Sequence, residues 1–281
     1  MVRDLRSEPL TGRMAEAALT HVREARTPSE PRPASTVILL RDTPAGPEVY
    51  LLRRQLSMAF AAGMTVFPGG RVDPTDATVA DSWSGPPPAW FASRLGCSSE
   101  MASAYVAAAV RETFEESGVL LAGPSSSSVV ADTSGDDWEA DRVALETRSL
   151  GFADFLHRRG LVLRADLLGA WAHWITPEFE PKRYDTAFFV AALPAGQITR
   201  DVTSESDQVA WLRPAAAVAA VESGDILMLA PTYQSCADLT PYGDVASALS
   251  AAGDREIPVI LPTLRIENDL AYLENTSREA T

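Results

Sequence analysis

The stretch Arg111-Glu112-Thr113-Phe114-Glu115-Glu116-Ser117-Gly118-Val119 decides how this chain is read. On a helix, Glu112, Glu115 and Glu116 stand at i, i+3 and i+4, so three carboxylates share one face. Left bare, that stripe repels itself, at about 0.2–0.5 kcal/mol for each like-charged pair four residues apart. A hard divalent cation removes the cost, and Mg2+ or Mn2+ prefers oxygen ligands. The opposite face carries Val110, Thr113 and Phe114, with Ala107 one turn earlier, a surface able to pack on a sheet. Ser98 and Ser99 are cap candidates and Gly118 is a stop, so a helix is expected over 99–118.

Upstream, Thr36-Val37-Ile38-Leu39-Leu40 reads as a strand, and the turn cluster Asp42-Thr43-Pro44-Ala45-Gly46-Pro47 returns it, giving a hairpin over 34–54. A short strand over 64–67 stops at Pro68-Gly69-Gly70. Residues 1–33, with prolines at 28, 31 and 33, read as an arm or short helix before the domain that occupies 34–281. The run Trp83-Ser84-Gly85-Pro86-Pro87-Pro88-Ala89-Trp90 makes 77–100 an expected inserted loop. Downstream, 124–168 reads as an insert carrying two helices. Strands are expected over 171–175, 184–193 and 209–212, the second apolar enough to be central. A helical extension is expected over 214–281, with a closing extended piece at 258–266. Strands alternating with helices around a hairpin predict a mixed α/β sandwich.

The chain has 281 residues, 46% hydrophobic and 22% charged, which excludes disordered, collagenous and coiled-coil classes. No apolar run approaches the ~20 residues a bilayer span needs. No secretory leader is expected from the polar opening, and Cys97 and Cys236 are too few for a disulfide framework, so a reduced, cytoplasmic protein is expected. The net charge of −14 argues against nucleic acid as partner, and a phosphate-bearing ligand would need a cation or a local basic patch. Arg54, Arg71, Lys182 and Arg183 are the candidates for such a patch. His21, His157 and His173 are scattered and form no zinc spacing with the cysteines. Trp83, Trp90, Phe179 and Tyr184 are aromatic enough to stack on a base, though such side chains more often fill cores.

Arg111-Glu112-x-x-Glu115-Glu116-x-Gly118-Val119 resembles the second half of the box of the Nudix hydrolases, whose pattern is Gly, five residues, Glu, seven residues, then Arg-Glu-apolar-x-Glu-Glu-x-Gly-apolar. Gly70 stands where the pattern opens, and Thr113 departs from the apolar residue expected there. Asp76 stands where the early Glu belongs, and 34 residues separate it from Arg111 where the pattern has seven. Such a split box, with Phe67-Pro68-Gly69-Gly70 before it, resembles the branch that holds the coenzyme A diphosphatases. Arg183-Tyr184-Asp185-Thr186-Ala187-Phe188-Phe189 and Trp211-Leu212-x-Pro214 add to that likeness.

The resemblance implies an α/β/α Nudix sandwich with a mixed sheet, inserted loop and extra helices. It implies hydrolysis of a diphosphate linkage in a small nucleotide-type substrate, coenzyme A or its acyl esters among them, with Mg2+ or Mn2+ as cofactor. Glu112, Glu115 and Glu116 would be ligands, and the catalytic carboxylates would be Glu205, as a metal ligand or base with Asp207 second to it, and Glu115 or Glu116 as the base. Arg111, Gly69, Gly70 and Gly118 would be structural, with Arg111 paired to the early acid. ADP-ribose or a nucleotide sugar is the alternative substrate, and a non-catalytic nucleotide-binding module is the alternative class. The three retained glutamates speak against the latter. A homodimer is left open.

Overall fold

The computed structural model describes residues 9–55, 61–202 and 206–278. Helix α1 (Gly12–Arg23) occupies the middle of the expected arm and buries Ala18. Strands β1 (Arg32–Thr43) and β2 (Gly46–Arg54) form the expected hairpin, with Leu40 opposite Val49 and Thr43 opposite Gly46. Two short strands follow, β3 (Thr65–Val66) on β2 and β4 (Gly69–Arg71) on β1. Strand β5 (Trp83–Ser84), helix α2 (Pro88–Leu95) and helix α3 (Ser99–Ser117) come next. Then β6 (Ala122–Gly123), α4 (Asp136–Glu146), α5 (Phe152–Arg159) and β7 (Val162–Arg164) complete the middle of the chain.

The remaining elements are β8 (Gly169–Ile175), β9 (Tyr184–Ala192), β10 (Ser206–Leu212), α6 (Pro214–Ser223), α7 (Ala230–Leu239), α8 (Val245–Asp254), β11 (Val259–Glu267) and β12 (Leu270–Arg278). The main sheet runs β10-β2-β1-β9-β8-β11-β12. It is mixed: β1 is parallel to β9 and β8 to β11, and the other neighbours are antiparallel. Strand β9 is central, as its apolar run predicts. A second small sheet pairs β5 and β6 with β7.

Period-two alternation splits the core into two layers. Val37 and Leu39 of β1 join Tyr50, Phe189, Tyr105 and Phe114 on the α3 side. Ile38 and Leu40 join Leu51, Val190, Cys236 and Ala248 under α6, α7 and α8. All of these side chains are essentially unexposed, so the centre of the sheet is covered on both faces by helices. The architecture is the expected α/β/α sandwich.

Two expectations need correction. The 77–100 stretch is no loop. A 3-10 segment (Pro74–Ser82) starts at Asp73, which accepts from Thr75 N, and α2 starts at Pro88, where a missing N–H costs nothing. The prolines therefore lead into a helix whose Phe91 and Leu95 are fully buried against the sheet layer. The 214–281 extension is not all helical either. It closes on the β11–β12 hairpin, turned by Asn268 and Asp269, both at positive φ, with Glu267 opposite Leu270.

Candidate active site

The carboxylate-bearing helix is held at both ends. Ser98 Oγ accepts from Met101 N at 3.1 Å, and Gly118, at φ 72°, takes the left-handed cap and donates to Phe114 O at 2.9 Å. Between them the small residues at 102–104 and 107–109 let α3 lie close on β1, where Ser35 Oγ donates to Tyr105 O at 2.7 Å. That approach buries the acidic face as well: Glu115 is 7% and Glu116 6% exposed.

Arg111 organises this face. Its Nε and Nη2 donate to Asp76 Oδ1 and Oδ2, both at 2.9 Å. Nη1 donates to Glu112 Oε1 at 2.8 Å and Glu115 Oε1 at 2.9 Å, and Nη2 also reaches Arg71 O at 2.9 Å. All five guanidinium N–H groups are thereby used. Burial works against this cation, but Glu112, Asp76 and Glu115 outweigh it and hold the arginine above its ordinary range. Burial pushes the Asp76 carboxyl up, while the Arg111 bonds and the Asp73 amide pull it back. Asp76 and Arg111 thus meet although 34 residues separate them. The intervening segment forms the rest of the 3-10 turns, α2 and the first part of α3, and packs Val79, Phe91 and Leu95 into the core while its two ends meet.

Glycines 69 and 70 are needed for clearance rather than for a left-handed backbone. Neither has positive φ. A Cβ on Gly69 would stand 2.5 Å from Ser35 O, and one on Gly70 would stand 2.4 Å from Glu112 Oε2. Strand β4 passes directly beneath the acidic face, and Gly69 N donates to Glu116 Oε2 at 2.8 Å. Glu115 has its carboxyl pushed up to about 7, by burial first and then by the charge of Glu112, against the pull of Arg111. Among the described residues, no three His, Cys, Asp or Glu side chains are grouped as a cation cage. Glu112 and Glu115 are turned onto Arg111, and Glu116 onto the Gly69 amide.

The expected basic patch is brought together only in part. Arg71 is exposed beside the carboxylates, its carbonyl bonded to Arg111. The Arg54 N–H donates to Met64 O and its carbonyl accepts from Gly63 N. Lys182 is exposed ahead of β9. Arg183 is engaged elsewhere: it is 7% exposed and donates to Thr176 O and Ser29 O at 3.0 and 2.7 Å. Glu205 and the Asp207 side chain lie outside the described residues. Trp83 and Trp90 pack edge-on to Phe91, and Phe179 is buried beside Ala18 and Ala271, so these aromatics serve the core. His173 is buried between Leu95 O and the Asp185 carboxyl, away from the acidic stripe.

Two residues near the stripe carried no signal in the sequence. The Tyr50 hydroxyl, on β2, donates to Arg200 O at 3.3 Å. Burial, then Asp201, then Glu116 push it well above its ordinary value, which sets Asp201 and Glu116 around one phenol.

The sequence model of the NUDT19 Nudix domain family matches residues 86–238, more than half of the chain. The chain belongs to the Nudix hydrolase superfamily. This Nudix protein is 26% identical to the putative nudix hydrolase 7 of Caenorhabditis elegans, over 88% of this chain and 76% of that one. It is 25% identical to the acyl-coenzyme A diphosphatase NUDT19 of Xenopus laevis, over 70% of this chain and 61% of the other, so it spans less than two thirds of that relative. A crystal structure of a Nudix hydrolase from Alicyclobacillus acidocaldarius superposes with a TM-score of 0.69 at 26% identity, covering 79% of this chain and 96% of that one. Among the described residues, no helix is long and apolar enough to cross a membrane.

Proposed function

We propose that this Nudix protein hydrolyses the diphosphate linkage of a coenzyme A-type nucleotide, free or acylated. The observation that carries the reaction class is the buried stripe of Glu112, Glu115 and Glu116 organised by Arg111 over the glycine pair. Support for the substrate comes from the acyl-coenzyme A diphosphatase relatives in Xenopus laevis and Gallus gallus, the latter 25% identical over 76% of this chain.

The donor set is all carboxylate oxygen, which fits Mg2+ or Mn2+. The crowding of Glu112 and Glu115, with Glu115 raised to about 7, is an excess of negative charge that one such ion would relieve. Glu112, Glu115 and Glu116 would hold it, and it would neutralise diphosphate oxygens and make a water more acidic. The protein's own groups do the rest. Arg111 keeps Glu112 and Glu115 on one side of the helix, the Gly69 amide orients Glu116, and Glu115 or Glu116 takes the proton of the attacking water. Arg71, exposed beside the stripe, and Arg54 are the groups that meet the substrate phosphates. With no covalent nucleophile required, water attacks phosphorus and the diphosphate bond breaks to give two phosphomonoesters.

The test is a panel of coenzyme A, ADP-ribose, NADH and nucleotide sugars with Mg2+ and Mn2+, run on the full chain and on Glu116→Gln. Coenzyme A should be the best substrate, and the variant should lose at least about 10³-fold in kcat while folding normally. A fully active Glu116→Gln ends the site assignment, and coenzyme A as the slowest substrate ends the substrate assignment.

A further inference from the structure

The far end of the acidic helix is gripped by residues of a different part of the chain. A helix leaves its last carbonyls without partners of its own. Here the Glu115 carbonyl accepts from Arg142 Nη1 of α4 at 2.7 Å. The Ser117 carbonyl accepts from Arg200 N at 2.8 Å, and the Gly118 carbonyl from Thr133 Oγ1 at 2.6 Å. Arg142 is only 3% exposed. Its Nε and Nη2 both donate to Glu139 Oε1, at 3.0 and 2.8 Å, and Nη1 also reaches Glu146 at 3.1 Å.

The second oxygen of the same Glu139 accepts from Arg200 Nη1 at 2.8 Å, and Arg200 Nη2 donates to Thr133 O at 3.1 Å. One carboxylate therefore ties the Arg142 guanidinium, which reaches the Glu115 carbonyl, to the guanidinium of Arg200, whose backbone N–H holds the Ser117 carbonyl. Bonds from Arg142 hold the Glu139 carboxyl below its usual range. The fit is close: a Cβ on Gly118 would stand 2.7 Å from Arg200 Nε. The same Arg200 carbonyl takes the Tyr50 hydroxyl, and Trp211 Nε1 donates to Thr199 Oγ1 at 3.0 Å, so the segment at 199–201 is pinned to the sheet as well. Two cations at a helix C-terminus also match its dipole.

We propose that Glu139, Arg142 and Arg200 are positioning residues, a clamp that sets Glu115 and Glu116 from behind and makes α4 part of the active-site machinery. The bonds from Arg142 and Arg200 run to the Glu115 and Ser117 carbonyls, so the clamp acts through the backbone that carries the stripe. The inference rests on the proposed metal-dependent hydrolysis, where a displacement of about 1 Å at a supporting residue costs up to about 10²-fold in rate.

The experiment uses the full chain as wild type, Glu139→Gln, Arg200→Lys, the double variant, and Arg158→Ala as control. Arg158, on α5, pairs with Asp141 of α4 and, among the described residues, makes no bond to Glu139, Arg142 or Arg200; its side chain is 54% exposed. Glu139→Gln keeps the shape and weakens the bridge without emptying a buried site, so it should fold. Measured well below melting, Glu139→Gln and Arg200→Lys should each lower kcat for coenzyme A about tenfold with KM within about twofold. Each should also weaken Mn2+ binding about fivefold, read by electron paramagnetic resonance without substrate. The double variant should be no worse than the worse single, because both open one clamp. Arg158→Ala should match wild type. Variants that lose only melting temperature, keeping kcat and Mn2+ affinity, overturn the clamp, as do losses that multiply in the double. If wild type hydrolyses none of the panel, the proposed function fails on its own, and the Mn2+ affinities still decide the clamp. A wild-type chain that binds no Mn2+ overturns both.

Discussion

Arg111→Lys keeps the charge at the centre of the site and removes the fork. The guanidinium makes five bonds of 2.8–2.9 Å, to both oxygens of Asp76, to Glu112, to Glu115 and to the Arg71 carbonyl. A lysine ammonium has three donors at one point and reaches at most three of those acceptors. At least two are left unmet in a site where Asp76 is wholly unexposed. Each unmet buried acceptor costs about 1–3 kcal/mol, so the variant should lose about 2–6 kcal/mol of stability. Against a total of about 5–15 kcal/mol, that is a large fraction. Urea denaturation followed by tryptophan fluorescence measures it as a lower midpoint at unchanged slope. Combining it with Asp76→Asn should give less than the sum of the two losses, because both act on one pair. A loss under about 1 kcal/mol, or strict additivity with Asp76→Asn, would refute the idea that the fork holds the site together.

Two further outcomes follow from the same geometry. Gly70→Ala places a Cβ on the Glu112 carboxylate and should swing that side chain off Arg111, abolishing most activity for only about 1–3 kcal/mol of stability; wild-type turnover by the variant would show that no clearance is needed. In chelator-treated protein, Glu115 titrates near 7 in the fold against an ordinary value of 4.5. Between those values the folded state binds more protons than the unfolded one, so this group's contribution to stability, full below about 4.5, is lost as pH rises through about 7. Glu115→Gln should flatten that decline in a pH series of urea midpoints, and superimposable profiles would count against the buried, crowded carboxyl.

The helix at 99–117, the β1–β2 hairpin and the central β9 were legible because each is written in local periodicity and local caps. Nudix membership was legible for a related reason: the acidic stripe is a spacing within one helix, and spacing is a property of sequence. The partner of Arg111 could be named from the resemblance. The prolines at 86–88 misled because proline reads as a breaker unless its position relative to a helix start is known, and here Pro87 stands at the N-cap and Pro88 opens α2. The final hairpin was half visible. Asn268-Asp269 is a turn signal, but the pairing that makes the strands worth forming comes from β8, far back in the chain. Arg183 looked like one more available cation, and only the Thr176 and Ser29 carbonyls, brought to it by the fold, show that it is spent.

The primary structure alone settles which residues can form a carboxylate face and which family of folds can present it, because helix period and hydrophobic alternation act over a few residues. Tertiary packing alone decides what that face is worth. Burial raises Glu115, clearance under Gly70 admits Glu112, and α4 and the segment at 199–201 close behind the helix. Those effects depend on desolvation and on contacts between groups tens of residues apart, and no spacing rule along the chain encodes them.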